Sequence, residues 1–411
     1  MISLEKARDV LDRYVDESLM TCQKTECVSL WEAGGRVLAG DLISREDVPA
    51  FHRSRMDGYA ILSSDIAAAA QDNPIMLRII DTIAAGSYSE QRLSSGAAMK
   101  IFTGAPMPPD ADCVVKQEDT EEIVLETGLT VVIKKSVSSG ENISFQGEDI
   151  RSGETLYPGG SVVSFAMVEI LAALGVDPVA VLAKPRIGVF STGNELIDLH
   201  QAKVFGKIRP SNLYALAEII RMAGGAPVNL GVVRDQLDDI LNVYEQAEQL
   251  ELPIVISTGG TASGDFDLIK QAMERAGSTR LFNKIAIRPG ARFVASGKKN
   301  QLLAGLSGNP GGAIITAFLL LAPIISRLEG ANKRLLPGRG KLTVPVTQRG
   351  GLRKFFWGCC DGQSGEMVVT PLGKHYPNAA QRHITGNCLI EIPAGEANLV
   401  AGDDVVLWKF C

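Results

Sequence analysis

Three short stretches hold hydroxyls, glycines and an amide or carboxylate in close order. They are Ser191-Thr192-Gly193-Asn194-Glu195, Ser257-Thr258-Gly259-Gly260-Thr261 and Ser307-Gly308-Asn309-Pro310-Gly311-Gly312. Each follows an apolar run, and two lead towards a helix-like pattern. Glycine lets backbone N–H groups approach an anion, and a helix N-terminus adds a favourable dipole. One such loop is often only a tight connection; three in one domain point to phosphate binding. None has Walker or GxGxxG spacing, which disfavours a P-loop ATPase and a dinucleotide dehydrogenase. Carboxylates stand close by at Glu195, Asp235, Asp265 and Asp267. The period-two spacing of Asp265 and Asp267 lets both face one site, and hard oxygen ligands beside phosphates suit Mg²⁺. Asp residues that cap helices or face solvent give the plainer reading. In Asn283–Gly290 (NKIAIRPG) apolar and polar residues alternate. Read as a strand, it sets Lys284, Ala286 and Arg288 on one face. Two cations there could clamp a dianion or an oxyanion.

These loops need a frame that brings strand ends together. Residues 184–328 alternate apolar strands with helical patterns, the rhythm of a doubly wound parallel sheet. In such a sheet, ligands bind outside the carboxyl ends of the strands. Around this stretch the rhythm differs. Residues 51–140 hold short strand-like runs between turns, and Arg55–Ala60 and Phe102–Pro106 read by composition as turns. Residues 335–411 return to short strands. The helical pattern ahead of Gly175 and the charged amphipathic pattern of MISLEKARDVLDRYV flank the β-rich segment.

The 411 residues suffice for about two to four domains. Hydrophobic residues make up 45% and charged residues 21%, enough apolar surface for real cores. A net charge of −6 argues against a nucleic-acid-binding protein. The seven cysteines (22, 27, 113, 359, 360, 388 and 411) show no CxxC or metal-ligand spacing, and read as reduced thiols of a cytosolic protein. The N-terminal pattern is not that of a signal peptide. The apolar run Ala313–Ile325 contains Pro323 and reads as a buried helix, so neither secretion nor a membrane is expected.

Nine motifs in order extend the picture: MDGYA (56–60), TGAP (103–106), GEDI (147–150), STGNE (191–195), SNL (211–213), Gly231–Asp235, STGG…GDFD (257–267), KIAIRPG (284–290) and GLSGNP (305–310). Together they resemble the molybdopterin molybdenumtransferase family, which includes the E domain of gephyrin, and the resemblance runs along essentially the whole chain. It implies an α/β multidomain protein. A doubly wound parallel-sheet, molybdopterin-binding domain (184–328) would be joined by a discontinuous helical dimerisation domain (1–50 and 141–183) and two small β domains: an inserted one (51–140) and a C-terminal β-barrel (335–411). The implied reaction takes adenylylated molybdopterin and molybdate, inserts molybdenum at the dithiolene and releases AMP, with Mg²⁺ or another divalent cation assisting. The implied catalytic residues are Asp57, Thr103, Lys284 and Arg288, with Asp57 and Thr103 arriving from the dimer partner. The substrate-holding residues would be Ser191, Thr192, Gly193, Glu195, Ser257, Gly259, Gly260, Ser307, Gly308, Asn309 and Pro310. Asp149, Glu195, Asp235, Asp265 and Asp267 would be the metal ligands. A cytoplasmic homodimer is implied, with a molybdopterin adenylyltransferase and apo-molybdoenzymes as partners and no nucleic acid or membrane.

The sequence departs from the family pattern at Asn194 (usually Asp), Arg288 (usually Lys), Ser307 (usually Pro), Trp357 (near a usual Arg) and residues 375–382 (usually a Ser/Gly-rich loop). Because these positions fall where the site is expected, two alternatives stand beside standard insertion. One is a specialised paralogue that binds a molybdopterin species without inserting metal. The other is a gephyrin-like scaffold.

Overall fold

The computed structural model describes residues 1–259, 268–331, 337–363, 366–372 and 385–410. The chain forms two units, Cys27–Val179 and Met1–Glu26 with Ala180–Cys411.

The unit Cys27–Val179 is built on a six-stranded sheet. Its strand order is Cys113–Lys116, Gly58–Ile61, Ala97–Ile101, Ile75–Ile83, Gly128–Ile133 and Thr120–Leu125. Alternate residues cover both faces. Tyr59, Ile61, Val115 and Val131 pack on one side, and Ala60, Met99, Ile101 and Val114 on the other. The strand Gly58–Ile61 is therefore buried throughout. Gly58 must be glycine, because a Cβ there would lie 1.9 Å from the Val115 carbonyl oxygen. The helix Phe165–Ala173 starts where Ser164 accepts from the Met167 N–H at 3.2 Å. It stops before Gly175, whose φ of +63° suits glycine.

The second unit holds the expected α/β sheet, with one difference. The strands Ala226–Val233, Arg186–Thr192, Ile254–Thr258 and Gln301–Leu306 are parallel neighbours in that order. Phe293–Lys298 and Thr279–Phe282 complete the sheet antiparallel. The direction reverses because Lys299 and Asn300 alone join Phe293–Lys298 to Gln301–Leu306. A two-residue turn makes a hairpin; a parallel partner would need a crossover. The segment Asn283–Gly290 is likewise not a strand of this sheet. Ile287–Arg288 pairs, in parallel, with Arg353 and Lys354 of the C-terminal strands, and Ile285 bridges Ile2. Its alternation survives: Ile285 and Ile287 are buried while Lys284 and Arg288 are exposed.

Helices cover both faces. Leu237–Gln249 and Leu268–Arg275 close one, over Phe190, Val255 and Leu303. Ser211–Met222 and the apolar stretch Pro310–Leu328 close the other, over Ile187, Ile256 and Ala304. Pro310–Leu328 is long and apolar enough to cross a membrane, but 78% of its apolar window is buried inside the protein. The opening helix Leu4–Tyr14 packs in the same core through Leu4, Ala7 and Leu11. Arg8 fastens it. Pro323 has no N–H to offer the carbonyl four residues back, Leu319. Arg8 Nε donates to that oxygen at 3.2 Å, and its guanidinium lies 4.6 Å from the Trp408 ring centre.

The C-terminal strands close into a barrel. Gly338–Leu342, Glu366–Pro371, Arg353–Gln363, Cys388–Ile392 and Asp404–Lys409 each pair with two others of the five, so no edge is left open. Arg353–Gln363, the longest strand, was not expected from the sequence. Leu342, Val369, Ile390 and Leu407 are among the residues that fill the interior. Arg353 joins this barrel to the opening helix by pairing with Glu5 and, at 3.3 Å, with Glu391.

Leu11 is fully buried. Leu11→Ala is expected to cost about 2–5 kcal/mol, read as a lower urea midpoint for this unit. An unchanged midpoint would mean that the opening helix is not part of the cooperative core.

Candidate active site

Parallel register sets the three loops side by side. Ser191 pairs with Thr258, and Thr258 with Leu306, so the strands end together. Paired residues point to the same face. Ser191 and Thr258 therefore lie under the start of the helix Ser211–Met222, while Thr192 points the other way.

Asn212 in the first turn of that helix joins two loops. Its Nδ2 donates to Thr258 Oγ1 at 2.8 Å and to the Gly308 carbonyl at 2.9 Å. Thr258 Oγ1 in turn donates to the Ser307 carbonyl at 3.2 Å. Asn212 is 8% exposed and Ser191 is 2% exposed, yet Asn212 Oδ1 and Ser191 Oγ have no hydrogen-bond partner among the described residues. An acceptor and a hydroxyl are thus held ready beside the loops. The sequence reading gave Asn212 no role, although the SNL motif contains it.

Close backbone contacts complete the cleft. Gly259 has φ +98°, and a Cβ on it would lie 1.9 Å from the Thr192 carbonyl oxygen. The second loop can cross the first only with glycine at this point. A Cβ on Gly308 would in turn meet Gly259 Cα at 3.5 Å. Asn309 caps the following helix by accepting from the Gly311 N–H at 3.0 Å, with Pro310 in the first turn. Ser307 Oγ accepts from the Asn309 N–H at 3.2 Å, so the residue that replaces the family proline shapes this turn by hydrogen bonding. The Ser257 hydroxyl lies elsewhere. It is fully buried in the sheet and donates to the Ala304 carbonyl at 3.4 Å, which leaves its side chain no part in the cleft.

Thr192 Oγ1 donates to Asp235 Oδ1 at 2.6 Å, and the Asp235 N–H donates to Asn194 Oδ1 at 3.4 Å. Asn194 thereby keeps the acceptor that an aspartate would supply, without its charge. Glu195 folds back so that a Cβ on Gly193 would lie 2.6 Å from its Oε2. No described residue donates to Asp235 Oδ2 or to the Glu195 carboxylate, so both offer free oxygens that suit a hard divalent cation. Gly260, Asp265 and Asp267 lie outside the described residues. Among the described residues no three acidic, histidine or cysteine side chains converge on one point.

Lys284 and Arg288 are both exposed. The turn after Arg288 leans on the third loop: a Cβ on Gly290, at φ +103°, would lie 2.5 Å from Thr316 Cγ2 and 3.2 Å from the Gly312 carbonyl oxygen. The cationic segment is thereby anchored to the loop Ser307–Gly312. Trp357 lies in the barrel, its ring 4.9 Å from that of Phe410. Residues 375–382 lie outside the described residues.

The other unit joins two motifs. Asp57 Oδ1 accepts from both the Thr103 N–H at 2.8 Å and its hydroxyl at 2.7 Å. The Thr103 hydroxyl, followed by its N–H, holds the Asp57 carboxyl below the usual carboxylate range. Arg55 beside it pairs with Glu148 at 2.8 Å. Asp149 is exposed, its N–H bound to the Val48 carbonyl at 3.0 Å.

Three family descriptions match the chain in succession: "MoeA N-terminal region (domain I and II)" over residues 2–175, "Probable molybdopterin binding domain" over 188–327 and "MoeA C-terminal region (domain IV)" over 339–410. A molybdopterin molybdenumtransferase of Bacillus subtilis is 33% identical over 383 residues, covering 93% of this chain and 89% of its own. Two crystal structures of the molybdopterin biosynthesis moeA protein from Pyrococcus horikoshii superpose with TM-scores of 0.86 and 0.80 at 28% and 27% identity. They cover 100% of this chain and 99% and 100% of their own. With matched domains along its length and a relative of this identity over nine-tenths of it, the chain belongs to the MoeA family of molybdopterin molybdenumtransferases.

Proposed function

We propose that this chain inserts molybdenum from molybdate into the dithiolene of adenylylated molybdopterin and releases AMP. The observation that carries the reading is the convergence of the loops at 191–195, 257–259 and 307–312 at the carboxyl edge of the sheet. Their backbone N–H groups and the start of the helix at Pro310 suit the phosphates of the substrate. Lys284 and Arg288 then balance the charge of molybdate or of the departing phosphate. Glu195 and Asp235 would hold a divalent cation, together with Asp265 and Asp267. When bound, such a cation neutralises charge at the phosphoanhydride. The departures at Asn194 and Ser307 each keep a hydrogen bond that orders a loop, and this favours standard insertion over a paralogue without turnover.

The reading includes a cytoplasmic homodimer in which Asp57 and Thr103 of one subunit complete the site of the other. Support comes from Trp31, 97% exposed, and Phe165, 92% exposed, which stand on neighbouring helical elements of the unit Cys27–Val179. Large apolar side chains left open in this way mark a protein contact. A molybdopterin adenylyltransferase would supply the substrate, and apo-molybdoenzymes would receive the product.

Asp57→Ala and Lys284→Ala are each expected to abolish molybdate-dependent AMP release from adenylylated molybdopterin with Mg²⁺. Mixed and allowed to exchange subunits, the two variants should recover about a quarter of the parent rate, since half the dimers then hold one intact site in two. Recovery of none would place Asp57 and Lys284 in the same subunit's site, and full activity of either variant would remove it from the mechanism.

Asn212→Ala removes two hydrogen bonds between loops and is expected to cost about 1–3 kcal/mol. Both Tm and the rate of AMP release should fall; a lower Tm at an unchanged rate would leave Asn212 a structural role only.

The Asp57 carboxyl titrates below the usual range, so its anionic tie to Thr103 is complete above that range and is lost as pH falls through the depressed value. Thr103→Val removes the larger cause and should raise the Asp57 titration, followed by carbon-13 NMR. An unmoved titration would show that the hydroxyl does not stabilise the carboxylate.

A further inference from the structure

The opposite, amino-terminal edge of the α/β sheet holds a cavity of about 480 Å³. That size lies within the range of small-ligand pockets, about 300–1,000 Å³. Leu250, Leu252 and Leu328 give it an apolar wall, and five cations and two carboxylates line the rest. The carboxylates are already matched. Lys24 pairs with Glu251 at 3.1 Å, and Lys298 pairs with Glu248 at 2.6 Å. Lys184, Arg186 and Lys299 have no ion-pair partner among the described residues, so a chain of net charge −6 concentrates three uncompensated positive charges here.

Helix ends do not account for them. Carbonyls at helix C-termini attract cations, but amide side chains already serve this edge. Gln23 Nε2 donates to the Leu328 carbonyl at 3.2 Å, and Gln301 Nε2 donates to the Leu252 carbonyl at 2.9 Å. Lys299 is also placed at a conformational cost. It occupies the hairpin turn at φ +48°, where glycine is the easier choice. Tyr14 pins that turn, its hydroxyl within 3.0 Å of the Lys299 carbonyl oxygen and 3.1 Å of that of Gln301. The backbone is thus held so that a lysine stands at the mouth of the cavity.

We propose that this cavity is a second anion site, which takes an organic phosphate of about nucleoside monophosphate size. Its phosphate sits among Lys184, Arg186 and Lys299, where the guanidinium offers a fork and the two ammonium groups offer point charges. Its apolar body lies along Leu250, Leu252 and Leu328. The site is separate from the loops at the carboxyl edge and does not depend on the reaction assigned to them.

Pyridoxal 5′-phosphate serves as the probe on the intact chain. Its aldehyde condenses with a nearby lysine amine with loss of water, and borohydride then fixes the imine for peptide mapping. Lys184 and Lys299 are expected to be trapped about tenfold faster than the exposed Lys203, the gain a local positive field gives. Inorganic phosphate should protect them. Arg186→Glu should remove the preference while leaving trapping at Lys284, which reports on the carboxyl-edge loops, unchanged. Lys299→Gly suits the turn, so it keeps the fold and should slow trapping at Lys184 even if Arg186→Glu does not fold. Trapping of Lys184 and Lys299 no faster than of Lys203, or a rate indifferent to both substitutions, would overturn the proposal.

Discussion

One amide nitrogen, Nδ2 of Asn212, is shared between a hydroxyl of one strand-exit loop and a carbonyl of another, and the carboxyl edge of the sheet takes its form from that sharing. Parallel strands in register deliver three loops to one place, but register alone does not fix how loops lie once the ladder ends. The buried amide does so here, from the first turn of a helix that the sheet itself positions. The glycines then follow as a requirement of the contact. Gly259 must pass the Thr192 carbonyl at a distance that leaves no room for a side chain, and Gly308 packs against Gly259 at van der Waals distance. The arrangement is preorganised and incomplete at once. A buried acceptor without a donor costs about 1–3 kcal/mol, and Asn212 Oδ1 stands in that state beside the cleft.

A second defect is repaired within the fold. Pro323 interrupts the apolar helix and leaves the Leu319 carbonyl without its usual donor; Arg8 supplies one from the other end of the chain. The same guanidinium covers Trp408, whose indole donates to Glu391 at 2.7 Å, and Glu391 meets Arg353. The opening helix, the buried helix and the barrel are linked through this chain of contacts. Arg353 also begins the strand that pairs with Ile287–Arg288, so the barrel borders the cationic segment beside the third loop.

What the sequence made legible depended on range. The four parallel strands of 184–328 and the helices that follow them show in their own periodicity, and the loops show in their clustered glycines and hydroxyls. The antiparallel edge was hidden because the turn Lys299-Asn300 carries a lysine, at φ +48°, where hairpin turns usually hold glycine, asparagine or aspartate. Arg353–Gln363 was hidden because its glycines, cysteines and charged residues mask the alternation of a barrel strand. The partner of the opening helix was hidden because amphipathicity says that a face is buried, not against what. Asn212 was the deepest omission. An Asn beginning a helix reads as a cap, and its actual partners lie 46 and 96 residues away. Asp57 and Thr103, also 46 residues apart, were nominated by motif, but their direct bond required coordinates.

The place of the opening helix bears on how the molecule is made. Chains fold domain by domain as they leave the ribosome, N-terminal parts first. Leu4–Tyr14 emerges before the unit Cys27–Val179, yet its core partners in the α/β sheet begin at Ile187. The whole unit Cys27–Val179 can fold while that helix waits with Leu4, Ala7 and Leu11 uncovered. Its charged face keeps it soluble meanwhile, and the folded unit shortens the loop that must finally close by bringing the segment's two ends into contact, where the Ala183 N–H meets the Lys24 carbonyl at 2.8 Å. Nascent chains halted before the apolar stretch Pro310–Leu328 has emerged would carry a folded β-rich unit and an unclaimed helix, the species on which a chaperone would act.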